Sequence, residues 1–414
     1  MIMKILLLIY NFLLIFVTLI LAPVGYFIMR KKNKHQHYFE RFGFIRINDF
    51  SCKDSIWFHC ASVGEVRSIE KIVTYFRENY PQYAIIVTTM TATGRQVAYD
   101  YIKADKSFLL PLENPNAFSK IISTMNTACL IIVDTELWPN LIYTASSKIP
   151  VFLINGRISN KTYKSYKRMR FIFKDILNRF SAVMTKSMQD EERFIHLMGN
   201  SSKVITAGNI KFQERRKKED VKIIESLKGY KFFLVASTHE TEENTILSYF
   251  NGELLGFDKI VIVPRHIERA ESIKTLALKY NYSVGLFSEN DFEKDVIICD
   301  AFGLLEGLYI LANKIFIGGS LINIGGHNIY EALQFEKEVA VGKFMFSFQE
   351  IYNKALEYNV AYEINNKDDF MGFINNNNHN DFSRFFQDID KANKDTISII
   401  TETISTVLHK KEQL

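Results

Sequence analysis

Hydrophobic residues run almost unbroken from Ile5 to Ala22, with only Asn11 and Thr18 polar, and the stretch extends through Pro23 to Ile28 before Arg30, Lys31, Lys32 and Lys34. As a helix this length crosses a hydrocarbon core of about 30 Å. A peripheral membrane helix and a cleaved signal peptide are the other readings. The apolar part is longer than the roughly 7 to 15 residues of a signal peptide and ends in proline and cations, not in a small-residue cleavage site, so a single uncleaved anchor is expected over 1–30. The basic cluster after it outweighs Lys4 and the amino terminus, which by the positive-inside rule places the rest of the chain in the cytoplasm, on an inner membrane.

Beyond the anchor, short β-rich apolar runs alternate with segments of helix length. Ser55 to His59, Ala84 to Thr89, Ala128 to Val133, Val151 to Ile154, Ala182 to Thr185 and Val204 to Thr206 predict the strands of a first α/β unit. These runs are apolar throughout, as in Leu130-Ile131-Ile132-Val133, which suits parallel sheets covered by helices on both faces. A charge-dense stretch, Gln213 to Asp220, interrupts the alternation, which restarts with Phe232 to Ser237, Lys259 to Val263, Val296 to Cys299, Lys314 to Ile317 and Glu338 to Val341. The tract Asn375 to Asn378 with His379 and Asn380 reads as a loop, and Ile397 to Leu408 as a terminal helix. The expected organisation is an anchor over 1–30, doubly wound Rossmann-like domains over 31–212 and 213–395, and a terminal helix over 396–414. Ligands are expected in a cleft at the carboxyl ends of the strands, where helix-start N–H groups point.

Composition narrows the class only a little. The 414 residues suit two or three domains, and 47% hydrophobic against 23% charged excludes a disordered or low-complexity chain. Lys+Arg 51 against Asp+Glu 46 leaves +5, too small an excess for a general nucleic-acid binder. Placement says more than the total. Arg157, Lys161, Lys164, Lys167, Arg168, Arg170 and Lys174 occur with no acid among them, interleaved with Tyr163, Tyr166, Phe171 and Phe173. They read as a lipid-facing, phosphate-binding segment or as an ordinary solvated helix. Cys52, Cys60, Cys129 and Cys299 form no CxxC pair and predict buried thiols in a reducing compartment.

The predicted strand ends carry the candidate chemistry. Ser55 to His59 runs into Ala61-Ser62-Val63-Gly64-Glu65, placing Glu65 in the first turn of a helix, as a general base or as a complement to the helix dipole. Thr88-Thr89-Met90-Thr91 reads as a helix-capping cluster. Ala128 to Val133 ends in Asp134-Thr135-Glu136-Leu137-Trp138-Pro139-Asn140, with two acids and a Trp at one strand end. In the second half, Thr238-His239-Glu240, Pro264-Arg265-His266 and Gly318-Gly319-Ser320, then Gly325-Gly326-His327-Asn328 with Glu331, suggest a nucleotide site of glycine turns, a bidentate cation and a ribose-binding carboxylate. Neither GxGxxG nor a P-loop is present, and no HExxH or zinc spacing predicts a metal. The Asp388-Ile389-Asp390 triplet lies in a late polar helix and reads as solvated surface.

Taken in order, Glu40-Arg41-Phe42-Gly43, Ser62-Val63-Gly64-Glu65, Thr88-Thr89-Met90-Thr91 with Thr93-Gly94, Thr135-Glu136-Leu137-Trp138-Pro139-Asn140, Gly208-Asn209-Ile210-Lys211-Phe212, Ala236-Ser237-Thr238-His239-Glu240, Val263-Pro264-Arg265-His266 and Gly318-Gly319-Ser320-Leu321 with Gly325-Gly326-His327-Asn328 resemble the motifs of the 3-deoxy-D-manno-octulosonic acid (Kdo) transferases of lipid A assembly. The resemblance covers the whole chain and implies a GT-B glycosyltransferase that takes Kdo from CMP-Kdo to an acylated, phosphorylated disaccharide, without a metal or other cofactor and with inversion. It implies Glu65 as the base, Asp134 as a transition-state carboxylate and Lys211 as a supporting cation. Pro264 and Arg265, Phe302-Gly303-Leu304 and Asn328-Ile329-Tyr330-Glu331 match CMP-contacting positions. Three departures stand out: Asp134 replaces a Glu, Leu304 replaces an acid, and Ile329-Tyr330 replaces Pro-Leu. The rival readings are a GT-B transferase for another nucleotide sugar and a membrane-tethered binding protein with a degenerate site.

Overall fold

The computed structural model describes residues 2–31, 37–45, 54–210, 221, 223–376 and 380–412. Lys32, Lys34, Cys52, Lys211, the whole charged stretch 213–220 and positions 377–379 of the Asn-rich tract lie outside the described residues. The chain divides into two compact units: Met1–Gln213 with Asp390–Leu414, and Glu214–Ile389.

The first unit holds a seven-stranded sheet of β1 (Ser55–Cys60), β2 (Ala84–Thr89), β3 (Lys106–Leu109), β4 (Thr127–Val133), β5 (Val151–Gly156), β6 (Ala182–Thr185) and β7 (Val204–Thr206). Its order is β3-β2-β1-β4-β5-β6-β7 with every pairing parallel. The second unit holds β8 (Phe232–Thr238), β9 (Lys259–Pro264), β10 (Val284–Leu286), β11 (Val296–Ile298), β12 (Lys314–Ile317), β13 (Val339–Val341) and β14 (Ala361–Glu363), in the order β10-β11-β9-β8-β12-β13-β14, again all parallel. Winding reverses beside the first strand of each sheet, between β1 and β4 and between β8 and β12. Loops leaving those strand ends part from one another there and open a crevice for ligands.

The strands are apolar on both faces because both faces are covered. Ile56, Phe58, Val87, Ile131 and Val133 face one core, which Ile400, Ile404 and Leu408 of the terminal helix complete; Trp57, Ile86, Leu130 and Ile132 face another with Phe118, Leu141 and Phe194. Each such side chain stabilises the fold by roughly 1.5–3 kcal/mol. The terminal helix runs from Phe382 to Glu412, starting well before Ile397. Its early residues Phe385, Phe386 and Ile389 are buried too, but buried polar Asn393 and Thr396 interrupt the apolar stripe that marks its later turns. Cys60, Cys129 and Cys299 are buried, and burial pushes the Cys299 thiol up to about 12.

The N-terminal segment is helical from Ile2 to Lys31 with Pro23 inside it. No single helix among the described residues is long and apolar enough to cross a membrane; Ile5–Thr18 and Ile20–Ile28, bent by 44°, meet that length and apolarity only as a pair. The anchor expected over 1–30 is therefore not present as a single apolar helix of spanning length among the described residues. Leu7, Asn11, Leu14, Thr18, Ala22 and Gly25 form a half-buried stripe at helical spacing, while Leu8, Phe12, Phe16, Ile20 and Phe27 are exposed. Asn140 Nδ2 donates to Asn11 Oδ1, and the Tyr38 hydroxyl donates to the Ala22 carbonyl at 2.9 Å. The polar residues within the apolar run thus face protein.

Candidate active site

In the first unit the site grows from the ends of β1 and β4. After β1 the chain turns at Ser62 into the helix Val63–Ser68. Ser62 is its N-cap: Ser62 Oγ accepts from the Glu65 N–H at 3.4 Å and donates to Glu65 Oε1 at 2.8 Å, while the Ala61 N–H donates to Glu65 Oε2 at 2.6 Å. This is a capping-box arrangement, in which the first-turn carboxylate, three residues after the cap, folds back onto the helix start. Glu65 is therefore only 8% exposed, whereas a base that must meet an acceptor hydroxyl needs to be reached from the crevice. The Ser-x-x-Glu spacing of Ser62 and Glu65 was the signal for this arrangement.

Two more carboxylates follow β4. Asp134 sits in the left-handed region at φ 57°, as does Asn155 at the end of β5 at φ 55°, a conformation Asp and Asn tolerate better than most side chains. Asn155 Nδ2 donates to Asp134 Oδ1, and Arg157 stands 3.7 Å from Asp134 Oδ2. Asp134 is thus turned toward the neighbouring strand end. Glu136, half-buried, accepts from Trp138 Nε1 at 3.0 Å. Burial first, then the charges of Glu65 and Asp134, raises its pKa, and the Trp138 bond only partly opposes them. Three carboxylates therefore gather at the switch point, and burial with the neighbouring charges inclines Glu136 to hold a proton.

Below them the hydroxyl-rich turn is structural. Thr88 Oγ1 accepts from Trp57 Nε1 at 2.9 Å and lies 3.1 Å from His59 Nδ1. His59 is fully buried, and desolvation lowers its pKa to about 4, so it is neutral. Thr91 caps the helix Ala92–Asp100 through the Gly94 N–H at 3.0 Å. The Glu40-Arg41-Phe42-Gly43 motif is a clamp: Glu40 Oε2 accepts from the Leu109 N–H at 2.8 Å and Arg41 donates to the Met90 carbonyl.

In the second unit the expected donor residues gather at the ends of β8, β9, β11 and β12. Pro264 is buried and Arg265 exposed, its N–H held by the Thr238 carbonyl at 2.9 Å. Phe302 is 80% exposed, and a side chain on Gly303 would meet nothing within 4 Å, so this turn after β11 is open; Leu304 is half-buried. Ile329 and Tyr330 turn into the core, leaving Asn328 and Glu331, linked by a 3.2 Å hydrogen bond, as the polar pair of their segment. His239 Nε2 lies 2.9 Å from His327 Nε2 with the rings stacked, and His266 stands edge-on to His239. Burial, then His239 and Arg265, depresses His327 to about 4; burial first also lowers His239, against the pull of Glu242. The glycine turn Gly318-Gly319-Ser320, expected to allow close backbone approach, gives two of its N–H groups to Glu242. Among the described residues no group of three or more His, Cys, Asp or Glu is placed to hold a metal ion.

Residues 36–214 match the family profile of 3-deoxy-D-manno-octulosonic-acid transferase (kdotransferase). A 3-deoxy-D-manno-octulosonic acid transferase of Rickettsia bellii is 31% identical over 330 residues, 77% of this chain and 78% of that protein. The chain belongs to the Kdo transferase family. A bifunctional glycosyltransferase/methyltransferase of Fusobacterium nucleatum is 31% identical over 362 residues, covering 82% of the present Kdo transferase chain but only 56% of that protein. In fold, the chain is similar to the UDP-GlcNAc 2-epimerase of Neisseria meningitidis, at TM-score 0.54 and 13% identity, over 86% of this chain and 100% of that one. This GT-B-like neighbour speaks to architecture alone.

Within this Kdo transferase the sequence reading passed over Glu136, although it lies in the same motif as Asp134, because the motif's first acid drew the role. It also passed over Glu242, whose position between two other acids in Glu240-Thr241-Glu242-Glu243 gives no hint that it, like Glu243, is enclosed.

Proposed function

We propose that this Kdo transferase moves Kdo from CMP-Kdo to a sugar hydroxyl of an acylated, phosphorylated disaccharide, the lipid A precursor, in lipopolysaccharide core assembly. Glu65 takes the proton of the acceptor hydroxyl as its oxygen attacks the anomeric carbon. The new C–O bond forms as the bond to phosphate breaks, and CMP departs with the electron pair, inverting the centre. No metal takes part; Arg265 carries the charge of the leaving phosphate, and Lys211 is the cation of the first unit that supports the transition state. Pro264, Phe302, Gly303, Leu304, Asn328, Ile329, Tyr330 and Glu331 form the nucleotide-binding segments, through backbone where their side chains are buried. Asp134, tied to Asn155, steadies the strand end from which Glu136 projects.

The observation that carries this reading is the meeting of Glu65 with Glu136 at the ends of β1 and β4 in a chain of this family. The charge of Glu65 adds to burial in raising the pKa of Glu136, so that Glu136 stays neutral while Glu65 accepts the proton. The acceptor's phosphates suit the exposed cations Lys161, Lys164, Lys167, Arg168, Arg170 and Lys174, beside which Met169 and Phe171 are also exposed. The N-terminal helix attaches the chain to the inner membrane as a single pass, with both α/β units cytoplasmic; its apolar outer face, followed by Arg30 and Lys31, supports this. The test is mass spectrometry of lipid products after incubating the purified chain with CMP-Kdo and a tetra-acylated lipid A precursor. A product heavier by one or more Kdo residues is expected, and transfer from a UDP-sugar but not from CMP-Kdo overturns the reading.

A further inference from the structure

Glu242 opens the helix Glu242–Phe250 directly after β8 and is fully buried, at 0% exposure. Its two oxygens accept four backbone N–H groups: Oε2 from His239 at 2.9 Å and Gly319 at 2.7 Å, Oε1 from Ser320 and Leu321 at 3.0 Å each. A buried carboxylate is costly unless its charge is met by hydrogen bonds, and here four N–H dipoles meet it. The neighbouring Arg269 is engaged in a bidentate pair with Glu243, at 2.7 and 2.9 Å. The turn is also closed down on this carboxylate. A Cβ on Gly318 would lie 2.8 Å from Glu242 Oε2 and 2.7 Å from both the Ser237 carbonyl oxygen and the Thr238 Cα. No other residue fits there.

A glycine turn between a strand and the following segment is the usual seat of a ligand phosphate, because its N–H groups converge on one point. In this chain that point is filled from within. The same carboxylate ties together the turns after β8 and β12, the two neighbouring strands at the switch point. One turn carries His239. The other leads, through the Gly326 N–H to Gly319 carbonyl bond at 2.8 Å, to His327. The outcome is the 2.9 Å His239–His327 contact, with Arg265 acting on both rings.

We infer that Glu242 is a positioning residue of the donor site: it occupies the anion cradle of the Gly318-Gly319-Ser320 turn, so that the donor's phosphate is received by the side chains of His239, His327 and Arg265, which this cradle aligns. The inference rests on the CMP-Kdo reading above and adds which groups take the phosphate. Replacement by glutamine puts an amide NH2 against a backbone N–H and disturbs the alignment of the histidines without touching the nucleoside.

The experiment compares CMP with cytidine, by calorimetry for CMP and by competition for cytidine, on the full-length chain in detergent. Wild type binds CMP. Glu242→Gln is expected to bind it at least tenfold more weakly while cytidine affinity stays within twofold, and Glu242→Asp, which keeps the charge, recovers part of the loss. In turnover the KM for CMP-Kdo rises more than kcat falls. A folded Glu242→Gln chain that binds CMP as well as wild type, or loses CMP and cytidine alike, overturns the inference. If Glu242→Gln does not fold, His327→Gln takes its place with the same expected pattern, and undiminished CMP binding is then the overturning result. Failure of wild type to bind CMP is seen before any variant is made and sinks the donor reading itself, and this inference with it.

Discussion

Asn140 holds Glu113 at two points: its backbone N–H donates to Glu113 Oε2 at 2.7 Å and its Nδ2 to the Glu113 carbonyl oxygen at 3.0 Å. The carboxyl is 3% exposed, and Oε1 has no hydrogen-bond partner among the described residues. Burial pushes its pKa up to about 7, and the Asn140 bonds offset only part of that.

A pH dependence follows from the sign of this shift. An acid whose pKa is raised by folding holds its proton more tightly in the native state, so between pH 4.5 and about 7 unfolding releases a proton and stability falls as pH rises. Glu113→Gln removes that contribution. Denaturant unfolding at pH 5 and pH 7.5 should show wild type losing on the order of 3 kcal/mol that the variant keeps. Identical slopes in the two proteins refute the buried-acid assignment.

Glu65 has two functions that two substitutions separate. Glu65→Gln preserves much of the capping box and should keep wild-type stability within about 0.5 kcal/mol, whereas Glu65→Ala should lose about 1 kcal/mol. Both should lower kcat by roughly 100- to 10,000-fold with CMP affinity intact. Turnover by folded Glu65→Gln within tenfold of wild type would remove Glu65 from the base role.

Arg265→Ala leaves the main-chain bond to Thr238 in place and removes only the guanidinium. A charged hydrogen bond contributes about 1.5–3 kcal/mol, so CMP affinity should drop roughly tenfold to a hundredfold. Equilibrium titration checks this, and an unchanged affinity means the donor lies elsewhere.

The exposed cations of the helices Asn160–Arg168 and Arg170–Leu177 make a separate claim. Reversing Lys164, Lys167 and Arg168 to glutamate should raise the KM for the phosphorylated acceptor several-fold and leave CMP affinity untouched, with the difference shrinking at high salt. An effect on CMP binding instead would tie this face to the donor.

Deleting residues 1–29 removes the apolar outer face together with the Asn11 and Ala22 contacts. Flotation assays should find the shortened chain released from membranes, with activity on detergent-dispersed acceptor retained. Continued tight association would show that the cationic face suffices for attachment.

Much of the fold was legible because parallel strands covered on both faces leave continuous apolar runs, as in β4 and β8. The strands the sequence reading passed over, β3, β10 and β14, all lie at sheet edges. An edge strand pairs on one side only and carries polar residues such as Lys106 and Glu363, so a run of three or four residues leaves no pattern to detect. The N-terminal run was visible as apolar, but sequence composition does not reveal that Asn11 has a partner in Asn140.

The site was legible as positions and less so as contacts. Glycines and acids at strand ends announced a crevice, since few other residue types suit such turns. Which acid faces a ligand and which faces backbone N–H groups depends on neighbours distant in sequence: Glu242 meets Gly319, Ser320 and Leu321 across the sheet, and Asp134 meets Asn155. Only Glu65 carried its answer locally.

The first unit is finished by the last part of the chain, with all of the second unit inserted before it. During synthesis, β1 to β7 are available long before Ile400, Ile404 and Leu408 leave the ribosome, so part of one apolar face waits uncovered while the second unit is made and folds. Premature termination therefore falls unequally on the two halves. A fragment ending at Gln213 keeps every strand of its sheet yet exposes core, whereas 214–389 is one contiguous piece with a core of its own. The half of the enzyme made first is the half that can be completed only last.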